Sequence, residues 1–140
     1  DVVKSKAAEQ DIIIMTAAVA DFCPSHPADE KIKKNDSSYE SVIELERTED
    51  ILSYLGAHKA KGQLICGFSM ETQNMLENSK AKLAKKNADM IVANNLKVAG
   101  AGFGTDTNVV TLITADDCTE LEIMDKSCVA ARIMDRLLQM

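Results

Sequence analysis

The sequence predicts an α/β fold, with a mostly parallel sheet flanked by helices on both faces and a hairpin-like strand pair near the C-terminus. Three observations carry that expectation. Short apolar runs recur at Ile12-Ile13-Ile14-Met15, Gln63-Leu64-Ile65-Cys66-Gly67-Phe68 and Asp89-Met90-Ile91-Val92-Ala93-Asn94. Each has the length and continuity of a strand buried on both faces. Between them lie segments whose apolar residues repeat at helical spacing. Strands alternating with helices build a parallel sheet through right-handed crossovers.

In chain order, residues 1–10 read as the tail of a helix with no beginning, so the chain is expected to be a fragment of something longer. A strand follows at 11–16, then a long loop at about 18–38 holding Pro24 and Pro27. A loop of that length is usually functional or mobile. The partly alternating stretch 39–46 reads as a strand. A helix is expected from Glu49 to Lys61, with Thr48 as N-cap and Ile51, Leu52, Leu55 and Ala57 as its buried stripe. Strand 63–68, a Lys-rich helix at 72–87 and strand 89–94 come next. A Gly-rich loop (99–107) leads to strand 109–113, a turn at Asp116-Asp117 and a strand at 120–123. A last helix, 127–138, is expected to bury Val129, Ile133, Leu137 and Leu138.

The 140 residues read as a single domain, with 46% hydrophobic and 27% charged residues. Such a length buries roughly two-thirds of the unfolded surface. A net charge of −6 argues against nucleic acid as partner, because phosphate backbones select a basic face. The four cysteines lack C-x-x-C spacing and His26 and His58 are isolated, which argues against a zinc site. Cys66 and Cys128 sit in apolar contexts and are expected to be buried thiols in a reducing compartment. No signal peptide and no apolar run near 18 residues is visible, so a cytoplasmic protein with no membrane partner is expected.

Three strand ends face one edge of such a sheet, where α/β sheets bind ligands. The first continues as Ala17-Ala18-Val19-Ala20-Asp21-Phe22 and then Lys31-Ile32-Lys33-Lys34. Small residues admit a ligand to the backbone, Asp21 offers an acceptor, and the lysines suit a polyphosphate. The alternative is an Ala-rich turn before a solvated basic loop. The second strand end carries Gly67-Phe68-Ser69-Met70-Glu71-Thr72, where Phe68 either stacks on a planar base or belongs to the core. The third carries Ala93-Asn94-Asn95, an amide pair that bridges loops, reads hydroxyls or merely turns the chain. In the Lys-rich helix, Lys82, Lys85 and Lys86 share a face and Lys80 points away. Like charges at i, i+4 repel, so this face is either solvated or neutralised by an anion. The Gly-rich loop opens a strand, not a helix, and matches neither common phosphate-binding glycine motif. Its shape is expected to come from Asp106 and Asn108. No side-chain nucleophile constellation is visible, so any chemistry rests on positioning and charge neutralisation.

Five segments in one order resemble the phosphopantothenate–cysteine ligase (phosphopantothenoylcysteine synthetase) family, bacterial CTP-dependent type. They are A-A-V-A-D-F at 17–22, K-I-K-K at 31–34, G-F-x-x-E-T at 67–72, K-x-x-x-K-N-x-D-x-I-V-A-N at 82–94 and F-G-T-D-T-N-x-V-T-L-I at 103–113. The resemblance implies a Rossmann-like fold, a homodimer, and the joining of 4′-phosphopantothenate to L-cysteine in coenzyme A biosynthesis. CTP with Mg²⁺ would activate the acid as an acyl-cytidylate, with no metal ligand from protein side chains. It further implies that Asp21, Lys31, Glu49, Asp50, Ile51, Leu52, Phe68, Lys82 and Lys86 bind nucleotide. Lys31 would also be catalytic, helping the step that consumes the intermediate, and Ala17 and Ala18 would lie against the acyl intermediate. Cys23 stands where many members have Arg, and Ser69-Met70 replaces a common Ala-Ala. The family's N-terminal segment, with a glycine-rich first turn and a substrate-contacting Asn, has no counterpart here, which predicts nucleotide binding without completed catalysis. The rival expectations are a nicotinamide-binding oxidoreductase and a nucleotide-binding fragment without activity.

Overall fold

The computed structural model describes residues 2–31, 42–71, 74–95, 98, 102 and 104–140. The expected site segment Ile32-Lys33-Lys34, the start of the strand expected at 39–46, and Thr72, Gly100, Ala101 and Phe103 lie outside the described residues. The elements in order are α1 (Val2–Ala7), β1 (Ile12–Met15), β2 (Phe22–Pro24), β3 (Leu45–Arg47), α2 (Ile51–Ala57), β4 (Leu64–Glu71), α3 (Met75–Lys86), β5 (Met90–Asn95), β6 (Thr107–Asn108), β7 (Val110–Ile113), β8 (Cys118–Glu120), β9 (Met124–Asp125) and α4 (Lys126–Leu137). They form two compact units, Asp1–Thr16 with Ile51–Met140, and Ala17–Asp50.

The larger unit holds a five-stranded sheet in the order β1-β4-β5-β7-β8. β1 and β4 pair in parallel from Ile12↔Leu64 to Met15↔Gly67, and β4 and β5 from Cys66↔Met90 to Glu71↔Asn95. β7 and β8 are antiparallel additions, so the sheet is mixed, with the parallel strands leading and the C-terminal pair following as expected. Side chains alternate across it. Ile65 and Ile91 point to Leu52, Leu55 and Leu83 of α2 and α3, whereas Cys66, Met90 and Val92 point to Val129, Ile133 and Leu137 of α4. The two faces therefore carry separate apolar layers, with helices on both. β1 is the outermost strand of the described sheet, and Ile12, Ile14 and Met15 are only half-buried.

Several sequence expectations are corrected. α2 is shorter than 49–61, and Ala57 is exposed while Gly56 is buried. Leu138 is exposed beyond the end of α4. Cys128 is exposed too, because Val129, Ile133 and Leu137 define the inward face and Cys128 lies to one side of it. Of the strand expected at 120–123 only Glu120 belongs to a strand, as the last residue of β8, and the next strand, β9, starts at Met124 and pairs with β6.

The smaller unit contains an unexpected strand. β2 lies inside the segment read as loop and pairs antiparallel with β3, from Phe22↔Arg47 to Pro24↔Leu45. Its three residues include a proline and show no alternation, so only the distant partner identifies it. The Arg47 guanidinium sits 5.5 Å from the Phe22 ring centroid. Thr48 does not cap α2; its hydroxyl donates to the Ala20 carbonyl and its N–H to the Asp21 carbonyl.

Candidate functional site

Helix α3 has an unusual inward stripe. Asn74 and Asn87 flank it in the left-handed conformation, each with φ 48°, a conformation asparagine tolerates better than most residues. The residues facing the sheet are Ser79, Lys82, Leu83 and Lys86, at i, i+3, i+4 and i+7. Ser79 and Leu83 are buried, Lys82 and Lys86 half-buried, and Lys80 and Lys85 exposed. A helix recruited only for packing would carry apolar residues at all four places. Two lysines there break the local pattern, and such breaks mark functional positions.

Both ammonium groups are already engaged. Lys82 Nζ donates to the Phe68 carbonyl at 2.9 Å, and Lys86 Nζ to Ser53 Oγ, in the first turn of α2, at 3.0 Å. α3 follows the end of β4 and returns to the start of β5, so it runs against the strands. Helical side chains lean toward the helix N-terminus, which directs both lysines toward the strand carboxyl ends. Phe68 is the first β4 residue past Gly67, where the pairing with β1 stops. Beyond that point β4 continues paired with β5 to Glu71↔Asn95, toward the edge where ligands bind in this class of fold.

The same helix end is anchored by groups that the sequence did not reveal as structural. A Cβ on Gly56 would sit 1.8 Å from the Lys86 carbonyl oxygen, so glycine lets α2 approach α3 this closely. Asn87 Nδ2 donates to the Gly56 carbonyl at 2.8 Å. Asp89 accepts the Ile65 N–H at 2.7 Å and pairs with Lys59 at 2.8 Å. Burial and, secondarily, the Asp89 charge push the Cys66 thiol up to about 12. Gly67 admits Leu52, whose Cδ2 would lie 2.6 Å from any Cβ there.

The remaining expected positions divide by unit. Ile51 is half-buried and Leu52 buried in the larger one. The Phe68 ring packs with the α4-side core, so Lys82 and Phe68 meet through the backbone carbonyl. In the smaller unit Ala17, Ala18, Asp21, Lys31, Glu49 and Asp50 are all exposed. Asn94 ties β5 to β6 at the end of the Gly-rich loop: its Oδ1 accepts Asn108 Nδ2 at 2.8 Å, and Asn108 Oδ1 accepts the Val109 N–H at 3.0 Å. Lys126 fastens the same loop through the Thr105 and Asp106 carbonyls. Among the described residues no group of three or more His, Cys, Asp or Glu could hold a metal ion, and no helix is long and apolar enough to cross a membrane.

The profile of the DNA/pantothenate metabolism flavoprotein C-terminal domain family matches residues 1–140. The chain belongs to this family. Among its relatives, the coenzyme A biosynthesis bifunctional protein CoaBC of Bacillus subtilis is 48% identical over 128 residues, covering 91% of this chain and 31% of that protein. A cysteine/cysteine sulfinic acid decarboxylase from an unknown prokaryotic organism is 47% identical over 131 residues, covering 93% and 36%. The chain thus spans about a third of the length of these curated relatives. The crystal structure of the C-terminal domain of CoaBC superposes with a TM-score of 0.75 at 40% identity, covering 99% of this chain and 60% of that one. A Cab2 mutant in complex with phosphopantothenate-cysteine superposes with a TM-score of 0.65 at 18% identity, covering 98% and 48%. This last likeness shows the shared fold alone.

Proposed function

We propose that the chain is the nucleotide-binding part of a phosphopantothenate–cysteine ligase, which joins 4′-phosphopantothenate to L-cysteine at the expense of CTP. The observation that carries this is the pair of lysines on the inward face of α3, Lys82 held by Phe68 O just past the carboxyl end of β1 and Lys86 by Ser53 Oγ in the first turn of α2. The CoaBC relatives support the pathway by name.

The chemistry needs little from side chains. The substrate carboxylate attacks the α-phosphorus of CTP, pyrophosphate leaves, and an acyl-cytidylate forms. The cysteine amine then attacks the acyl carbon, loses a proton as the amide forms, and CMP departs. Lys82 and Lys86 would neutralise charge on the β- and γ-phosphates as pyrophosphate leaves, stabilisation aimed where charge develops. Mg²⁺ would enter with CTP, bound by phosphate oxygens and water, and supply further neutralisation. Asp21, Glu49, Asp50, Ile51, Leu52 and Phe68 would contact the nucleotide. Ala17 and Ala18 would leave room for the acyl group, and Lys31 would assist the step that consumes the intermediate. The resemblance also implies a homodimer.

Pyrophosphate release with phosphopantothenate, comparing CTP with ATP and with or without cysteine, tests the reading. Release with CTP that falls at least tenfold in Lys82→Gln and Lys86→Gln supports it; equal release from those variants overturns it.

A further inference from the structure

Two contacts tie the middle of α3 to the end of β4, and only one involves a lysine. The hydroxyls of Ser79 and Ser69 bond at 2.8 Å, at positions 0% and 3% exposed. One helical turn later Lys82 Nζ donates to the carbonyl of Phe68, the neighbour of Ser69. The two partners on the helix are i and i+3, and their two partners on the strand are consecutive. The bonds therefore act as adjacent rungs, and fixing the first sets the second.

A buried hydroxyl pair adds little net stability, because each hydroxyl gives up water to make one bond. Two small apolar side chains would fill the same space without that loss. What the pair supplies is direction. A hydrogen bond restricts distance and angle at both ends, and a satisfied buried polar pair rigidifies its surroundings. An apolar contact such as that of Leu83 in the same stripe lets a helix rotate and slide. Lysine makes this restraint useful, since its ammonium is a point charge on a flexible four-carbon stem. The helix backbone must be well placed if the charge is to be.

We propose that Ser79 and Ser69 are positioning residues for Lys82, setting where its ammonium meets the β- and γ-phosphates of a bound nucleoside triphosphate. The proposal rests on the nucleotide reading given above and adds residues to it. It predicts that losing the pair affects triphosphate affinity selectively, while contacts to base, ribose and α-phosphate persist.

The test is calorimetric titration of the chain with CTP and with CMP, each with Mg²⁺, for wild type, Ser79→Ala, Ser69→Ala/Ser79→Ala, Lys82→Met and Ser79→Ala/Lys82→Met. The Ser69→Ala/Ser79→Ala variant removes both hydroxyls and leaves no unpaired buried donor, so it keeps the fold even if Ser79→Ala does not. The expected result is a CTP-over-CMP preference that falls roughly three- to tenfold in both serine variants, the worth of one ordinary hydrogen bond. CMP affinity should stay unchanged, and Ser79→Ala should add nothing once Lys82 is Met. A purely structural pair would lower thermal stability and leave the preference at its wild-type value, which overturns the proposal. A serine effect that persists in the Lys82→Met background also overturns it. If Lys82→Met itself leaves the preference intact, the nucleotide reading falls too. If Lys82→Met lowers it and the serine variants do not, this inference alone falls.

Discussion

Replacing Asp89 separates structural from ligand-binding acidity within the 82–94 segment. In the folded chain Asp89 Oδ2 accepts the N–H of Ile65, a residue with 0% exposure, and Oδ1 pairs with Lys59 at 2.8 Å. The two side chains of the ion pair are 20% and 19% exposed. In Asp89→Ala the Ile65 N–H loses its partner, which costs about 1–3 kcal/mol. Among the described residues Lys59 then keeps a long contact to the Asn87 carbonyl, at 3.4 Å. Stranding a fully buried charge costs about 3–5 kcal/mol, and the residual exposure of Lys59 places its share at the lower end or below. Together these give a loss of about 3–5 kcal/mol for Asp89→Ala. Asp89→Asn keeps its one carbonyl oxygen for the Ile65 N–H but turns its NH2 toward Lys59, so it loses the ion pair and its hydrogen bond, for about 1–3 kcal/mol. Urea denaturation of both variants, with Lys59→Met and Lys59→Met/Asp89→Asn completing a cycle, measures these values. Asp89→Ala costing no more than Asp89→Asn would refute the assigned role, as would a cycle with no coupling.

Four further outcomes are expected. Gly56→Ala forces a Cβ to within 1.8 Å of the Lys86 carbonyl oxygen, so α2 must leave α3 and denaturation should show a loss of at least about 3 kcal/mol, the top of the overpacking range. Gly62→Ala meets no atom within 4 Å but has φ +84°, and should cost only about 1–2 kcal/mol of backbone strain. Thiol alkylation at pH 8, mapped by mass spectrometry, should label Cys118 and Cys128 rapidly and spare buried Cys66 until the chain unfolds. The Cys66 pKa is raised from 9.0 to about 12 in the folded chain. The unfolded chain therefore loses that proton first, and stability should decline as pH climbs from 9 toward 12. Cys66→Ala should flatten this alkaline decline.

The layered α/β architecture was legible because its parallel strands are continuous apolar runs. Ile65-Cys66 and Met90-Ile91-Val92 are buried on both faces, so burial and sequence pattern coincide. Elements that depend on a distant partner were not. Phe22-Cys23-Pro24 becomes a strand only against Leu45-Glu46-Arg47, and no local periodicity announces it, whereas the alternation at 39–46 did point to Leu45 and Glu46. Cys128 and Ala57 were misplaced for a shared reason: each is a small residue one position off the inward stripe, where hydrophobic composition cannot decide orientation. Helical spacing put Lys82 and Lys86 on one face, but not which way that face looks; Ser69, Ser79 and Leu83 turn it toward the sheet. Ser53 and Gly56 left no trace in the pattern and the structural role of Asn87 did not show, since these roles come from α2 and α3 meeting at a sequence separation of 31 between Gly56 and Asn87.

Amine footprinting tests the central assignment most directly. The chain is acetylated with and without saturating CTP and Mg²⁺, and each lysine is quantified by peptide mass spectrometry. CTP should protect Lys82 and Lys86, while exposed Lys80 and Lys85 on the same helix react at unchanged rates. Equal modification of all four with and without the nucleotide would contradict it.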